Sequence, residues 1–290
     1  MKHRTRREAI KLFGTAGASA YFAKYAQASD PKEHKFGYLW GQEDYDKFDE
    51  GVDPERVLTS LKAENKDFNP YARPWTTVEH QGKQGACQGH SLALAFQVCM
   101  VQKYSIHTRF SRAAAYYMSQ THDNIKGDMG STLAGGQAVA RNGLCLETEW
   151  PYPEKYNPAR PDGVFKFMDF KMPGSKRIKD ADLAWELLRN GACIQTGVAW
   201  GSAYEAHVSD RYDGFQLGGH STLLYGLDHK TDNAIHHNSW GVNWQNNGRS
   251  QWTKRFFNEI LKKDKYCVFV TYDSTNLKVP ANFVDRSLKN

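Results

Sequence analysis

Three residues in this 290-residue chain sit where nucleophilic chemistry would need them. Cys87 lies in Gln81-Gly82-Lys83-Gln84-Gly85-Ala86-Cys87-Gln88-Gly89-His90, at the mouth of a segment whose small and apolar residues recur at helical spacing through Phe96, Cys99 and Met100. A helix N-terminus presents open backbone N–H groups and about half a positive charge, which favours thiolate over thiol. Gln81, six residues upstream, carries an amide that can fold back beside Cys87, so the two supply donors for a developing oxyanion. Packing in a core is the competing reading of Cys87 taken alone. Far downstream, His220 in Gly218-Gly219-His220-Ser221-Thr222-Leu223-Leu224 begins one apolar run, and Asn238 in Ile235-His236-His237-Asn238-Ser239-Trp240-Gly241 ends the next. Adjacent antiparallel strands would set those two side by side.

The elements that must position these residues fall into two groups. Helices are expected from Cys87 to about Lys103, from Ser111 to Gln120 with the serine as cap, and from Ser131 to Asn142 closed by Gly143. After the proline-rich loop ending at Pro161, short strands are expected at 165–171, 194–200, 220–227, 234–238, 249–253 and 266–272, with helices at 180–189 and 254–261 between them. The result is an α+β protein with a helical lobe at about 71–150 and an antiparallel β-rich lobe at about 151–275. Cys87 comes from the first and His220 and Asn238 from the second, so the site belongs in the cleft between lobes.

At these residues the sequence resembles the papain-like cysteine peptidases, whose nucleophile loop reads Gln-Gly-x-Cys-Gly-Ser-Cys-Trp and whose later motifs read Gly-His-Ala and Asn-Ser-Trp-Gly. His220 follows Cys87 by 133 residues and Asn238 by 151, within that family's usual interval. Arg73-Pro74-Trp75, Asp128-Met129-Gly130-Ser131, Gly143-Leu144-Cys145 and Trp150-Pro151-Tyr152 extend the likeness from about residue 70 to about 272. The resemblance implies a papain-like two-lobe fold and a peptidase acting on peptide or protein substrates without metal or organic cofactor. It implies Cys87 as nucleophile, His220 as its acid–base partner, Asn238 as the group orienting the imidazole and Gln81 at the oxyanion. Gly130, Ser131, Gly219 and Trp240 are implied as substrate-binding positions, Trp240 also as cover for the His–Asn bond. Two departures stand out: Gln84 replaces the motif's first cysteine, removing a disulfide many secreted relatives make, and Gln88 replaces the aromatic after the nucleophile, which predicts a polar cleft wall. The same residues also suit acyl transfer to an amine, and a peptide-binding protein that kept the fold without turnover is the rival from another class.

Residues 1–28 open with basic residues around Thr5-Arg6-Arg7, continue small and mildly apolar, and end in Ala26-Gln27-Ala28, which resembles a twin-arginine export signal with its processing site. That segment carries +5 of the chain's net +6, so the remainder is close to neutral and no basic stripe for nucleic acid is left. An exported, periplasmic or extracellular bacterial protein with no stable membrane anchor is expected. Residues 29–70 read either as an extension packed on the peptidase domain of 71–290 or as a short removable shield. His236 and His237, adjacent on a strand, are expected as a solvated pair, and Cys99, Cys145, Cys193 and Cys267 as buried free thiols.

Overall fold

The helix that opens at Cys87 organises the molecule because its first four turns are buried on every side. The computed structural model describes residues 35–40, 48, 52–65, 68–71, 76–214, 216–281 and 283, so the export-signal segment and Arg73-Pro74-Trp75 lie outside the described residues. Helix α1 spans Pro54–Glu64, with Asp53 as cap and proline at the first helical position. Helix α2 spans Cys87–Tyr104, and every residue from Cys87 to Met100 is buried. A helix buried all round, with Gln88, His90, Ser91 and Gln97 among its buried residues, must be covered on every side. Helices α3 (Arg112–His122) and α4 (Leu133–Asn142) cover one flank and the sheet covers the other.

Local signals explain where these helices start. Ser111 caps α3 by accepting from the Ala114 N–H, as its sequence predicts. Helix α4 begins two residues later than expected because Thr132, not Ser131, is its cap. Helix α5 (Ala181–Arg189) is capped by Asp180, and α6 (Lys254–Lys263) by Thr253.

The strands are β1 (Cys193–Trp200), β2 (Val208–Ser209), β3 (Gly218–Leu227), β4 (Ala234–His237), β5 (Arg249–Trp252) and β6 (Val268–Tyr272). They form one sheet in the order β2-β5-β4-β3-β1-β6, antiparallel except for the short β2–β5 pair. Alternation along the strands sorts side chains to two faces. Cys193, Leu223, Tyr225, Val268 and Val270 join the core shared with α2, α3 and α4. Ile194, Val198, Leu224, Leu227 and Phe269 join a second core under α1, α5 and α6. The strand expected at 165–171 does not form. Gly163, at φ +71°, leads into a 3-10 turn over Val164–Phe167 that leaves Phe165 and Phe167 exposed, and pairing is confined to isolated bridges of Phe170 with Leu144 and of Lys171 with Lys278.

Candidate active site

The two antiparallel strands predicted to juxtapose His220 and Asn238 do so. Strand β3 pairs with β4 through Leu223–His237, and the backbone N–H of Asn238 donates to Gly248 just past the strand end. The His220 Nε2 and Asn238 Oδ1 lie 2.8 Å apart. Because the Asn238 oxygen also accepts from the Ser239 backbone N–H at 2.7 Å, it acts as acceptor and His220 Nε2 carries the proton. Trp240 stacks on the His220 ring at 4.5 Å and 21°, and Trp200 meets the same ring edge-on at 4.7 Å. Trp240 thus lies where the resemblance placed it. Trp200, the last residue of β1, has the same role and had no motif to announce it.

Cys87 opens α2, which packs on β3, and the backbone N–H groups of Ser221, the residue after His220, and of Gly37 and Gln88 face its sulfur closely enough to favour the thiolate. Side chains tie the same surfaces together, with Ser91 Oγ 2.8 Å from Ser221 Oγ and Gln195 Nε2 donating to the Gln88 carbonyl. The expected thiolate is corrected here. Complete burial pushes the Cys87 thiol up to about 11, and the backbone donors only partly oppose this.

The cover over Cys87 is the chain's own segment Lys35–Trp40, which runs along the cleft. Ser131 N–H donates to Gly37 O at 2.9 Å, Leu39 N–H donates to Ser131 O at 3.0 Å, and Tyr38 N–H donates to Gly219 O at 3.1 Å. The Tyr38–Ser131 bridge is parallel. A β-carbon on Gly37 would stand 2.0 Å from the Gly85 carbonyl oxygen, so only glycine brings this backbone onto the nucleophile loop. Gly130, at φ +95°, is equally tight against the Gly37 carbonyl. Ser131 and Gly219 therefore offer their backbone to an extended peptide, and that peptide is residues 37–39. Tyr38 is buried where β-carbon space at Gly197 and the Leu133 side chain meet. Phe36 adds an edge contact to both His220 and Trp240.

Gln81 is fully buried with all its polar atoms engaged. Its Oε1 accepts from Ser239 Oγ at 2.6 Å, and its Nε2 donates to the carbonyls of Lys35 and Gln84, each at 2.9 Å. Two further glutamines stand at the positions where the sequence leaves the motif, and one of them departs from expectation. Gln88 is not a polar cleft wall: it is buried in the lobe, where its Oε1 accepts from Ser131 Oγ at 2.9 Å and fixes the edge that Gly37 and Leu39 use. Gln84 donates to the Pro153 carbonyl and accepts from Tyr117 OH, so hydrogen bonds hold the nucleophile loop at the position of the missing cysteine.

His236 and His237 are buried, not solvated. His236 sits between Ser250 Oγ at 2.7 Å and Thr222 Oγ1 at 2.9 Å, and desolvation holds both imidazoles in the neutral form, His237 down to about 3. All five cysteines are buried thiols, with Cys99 and Cys193 in sulfur contact at 3.9 Å.

No protein-family model and no curated protein matches this sequence. Solved structures do. Xylellain, a cysteine protease from Xylella fastidiosa, is similar over 86% of this chain and 94% of its own, at 21% identity and a TM-score of 0.59. Digestive procathepsin L 3 from the larval midgut of Tenebrio molitor covers 94% of both chains at 14% identity and 0.56. The clostridial cysteine protease Cwp84 is similar over 72% of this chain and 57% of its own longer chain, at 15% identity and 0.57. At such identities the likeness establishes the fold, and the fold is that of the papain-like cysteine proteases.

Proposed function

We propose that this chain is a cysteine-type peptidase, held latent while residues 35–40 lie over Cys87. The observation that carries the reading is the 2.8 Å contact of His220 Nε2 with Asn238 Oδ1, on the strand that the Cys87 helix is tied to by Ser91 Oγ and Ser221 Oγ at 2.8 Å. With Nε2 committed to Asn238, Nδ1 is the ring atom that exchanges a proton with the thiol. Once the covering segment leaves, Cys87 gives its proton to His220 and the sulfur attacks the carbonyl carbon of a peptide bond. An S–C bond forms, and the carbonyl π electrons move to oxygen, where the Gln81 amide and the Cys87 backbone N–H stabilise them. Collapse breaks the C–N bond while His220 Nδ1–H protonates the leaving amine. A water molecule, deprotonated by His220, then hydrolyses the thioester.

Residues 1–28 direct export to the periplasm or beyond in this reading, and the substrate is a peptide or protein. Labelling with an epoxide thiol inhibitor, paired with a fluorogenic peptide library, tests it. Protein freed of residues 35–40 is expected to be labelled at Cys87 and to cleave a subset of the library, with Cys87→Ala inert in both assays. An unreactive Cys87 in protein freed of residues 35–40 would leave the peptide-binding alternative, and products joined to an added amine in place of water would indicate acyl transfer.

A further inference from the structure

One residue of the covering segment touches two distinct parts of the cleft. The Lys35 carbonyl accepts from Gln81 Nε2 at 2.9 Å, the donor assigned above to the oxyanion, while its ammonium reaches Asp128 Oδ2 at 2.5 Å and the Asp128 carbonyl at 3.2 Å. Asp128 is prearranged for such a partner. Its Oδ1 accepts from the Gly85 backbone N–H and from Tyr116 OH, both at 2.8 Å, which locks the carboxylate beside the nucleophile loop and leaves Oδ2 to face the cation. The Asp128 side chain is 19% exposed with Lys35 in place, so the pair is shielded from bulk water more than an ordinary surface ion pair.

The geometry points to Asp128 as the specificity-determining residue for a cationic side chain, lysine or arginine, on the substrate residue whose carbonyl is attacked. This rests on the peptidase reading and names the substrate class of the same site. A residue whose carbonyl takes the Gln81 donor has Asp128 within reach of a side chain of lysine's length, as Lys35 demonstrates. Its rigid second oxygen gives a fixed anionic end point, and loss of the ammonium leaves that partly buried oxygen unpaired. A charge-assisted contact of this kind separates charged from neutral substrates by on the order of ten- to a hundredfold.

The test uses the full chain and two acyloxymethyl ketones, one built on acetyl-lysine and one on acetyl-norleucine, an uncharged isostere. Each alkylates a reactive cysteine, forming a C–S bond and releasing its carboxylate, and labelling of Cys87 is followed by intact mass and peptide mapping. Both probes must displace residues 35–40, so that barrier cancels in the ratio of their rates. The lysine probe is expected to label at least tenfold faster, the ratio is expected to shrink as ionic strength rises, Asp128→Asn is expected to bring it to about one, and Asp128→Glu to restore part of it. Equal labelling of wild type by both probes, or a ratio that survives Asp128→Asn, overturns the role of Asp128 and leaves the peptidase reading intact. Failure of both probes to label Cys87, in Gly37→Ala with its cover lifted as well as in wild type, removes the two together.

Discussion

Ser239 Oγ donates to Gln81 Oε1 at 2.6 Å, so the residue after Asn238 sets the orientation of the amide ahead of Cys87. One hydroxyl thereby couples the two lobes across the site. It fixes which end of the Gln81 amide is the donor, since with the oxygen held by Ser239 the NH2 must point toward the Lys35 and Gln84 carbonyls. Ser239→Ala frees the amide to rotate. The expected result in the active enzyme is a fall in kcat of about tenfold, short of the roughly hundredfold or greater loss of removing an oxyanion donor outright, with KM little altered. Unfolding in urea should show a cost of about 1 kcal/mol for the lost buried bond. A kcat equal to wild type would mean that Gln81 holds its orientation without Ser239.

Gly37 offers a direct test of latency. A β-carbon there meets the Gly85 carbonyl oxygen at 2.0 Å, and that atom belongs to the backbone of the nucleophile loop and cannot rotate away. Gly37→Ala should therefore lift residues 35–40 out of the cleft while the rest of the fold stands. The expected outcome is at least a tenfold faster reaction of Cys87 with iodoacetamide, read by peptide mapping against the other four buried cysteines as internal references. Identical Cys87 rates in variant and wild type would show that the segment does not govern access.

Much of this site was legible in the sequence, and the parts that were not share a physical cause. Cys87, His220, Asn238, Gln81 and Ser131 each stand in a short motif whose neighbours fix the backbone, so local sequence located them. The helices beginning after Ser111 and Asp180 were legible because capping is a local hydrogen bond. Gln88 was misread as a cleft wall because its burial depends on α4, where Gly136 leaves room for the amide. His236 and His237 were misread for the same kind of reason: alternation gives the two faces of a strand but not whether the outer face is covered, and here Trp252 stacks on His236 and Tyr225 lies beside His237. The covering role of Lys35–Trp40 depends on contacts more than 90 residues away in sequence, such as Lys35 with Asp128 and Leu39 with Ser131, which no local pattern encodes.

Cys87 should also report its cover through pH. Its folded-state pKa is raised from 9.0 to about 11 by burial, so the folded protein holds that proton more tightly than the unfolded chain. The stability this contributes is fully present below pH 9 and is lost as pH rises through 11. Comparing wild type with Cys87→Ser by urea unfolding from pH 8 to 11 should show wild type losing on the order of 2 kcal/mol relative to the variant. Iodoacetamide labelling of the covered form should climb about tenfold per pH unit from 7 to 10, whereas a cysteine already ionised would level off early. A flat profile over that range would place the thiolate in the covered form and contradict the raised pKa.

The outer end of the covering segment is held at Asp264, whose behaviour with pH runs opposite to that of the buried histidines. Trp40 Nε1 donates to Asp264 Oδ1 at 3.0 Å, and the same carboxylate accepts from the backbone N–H groups of Tyr266 and Ala199. Burial raises Asp264 from 3.8 to about 6, with those three donors working against the shift. A folded pKa above the unfolded one means that Asp264 contributes most stability below about pH 4 and loses it as pH rises through 6. His90, His236 and His237, all lowered by burial, contribute in the other sense: their stability is present above 6.5 and is lost as pH falls. The raw pH curve mixes the two, so the informative quantity is the difference between wild type and Asp264→Asn, in which the histidine contributions cancel. That difference should move against wild type by up to about 3 kcal/mol between pH 4 and pH 7, and Trp40 fluorescence should change with a midpoint near pH 6 in wild type only. A difference independent of pH would mean that Asp264 is ionised throughout, and the neutral carboxyl beneath Trp40 would have to be abandoned.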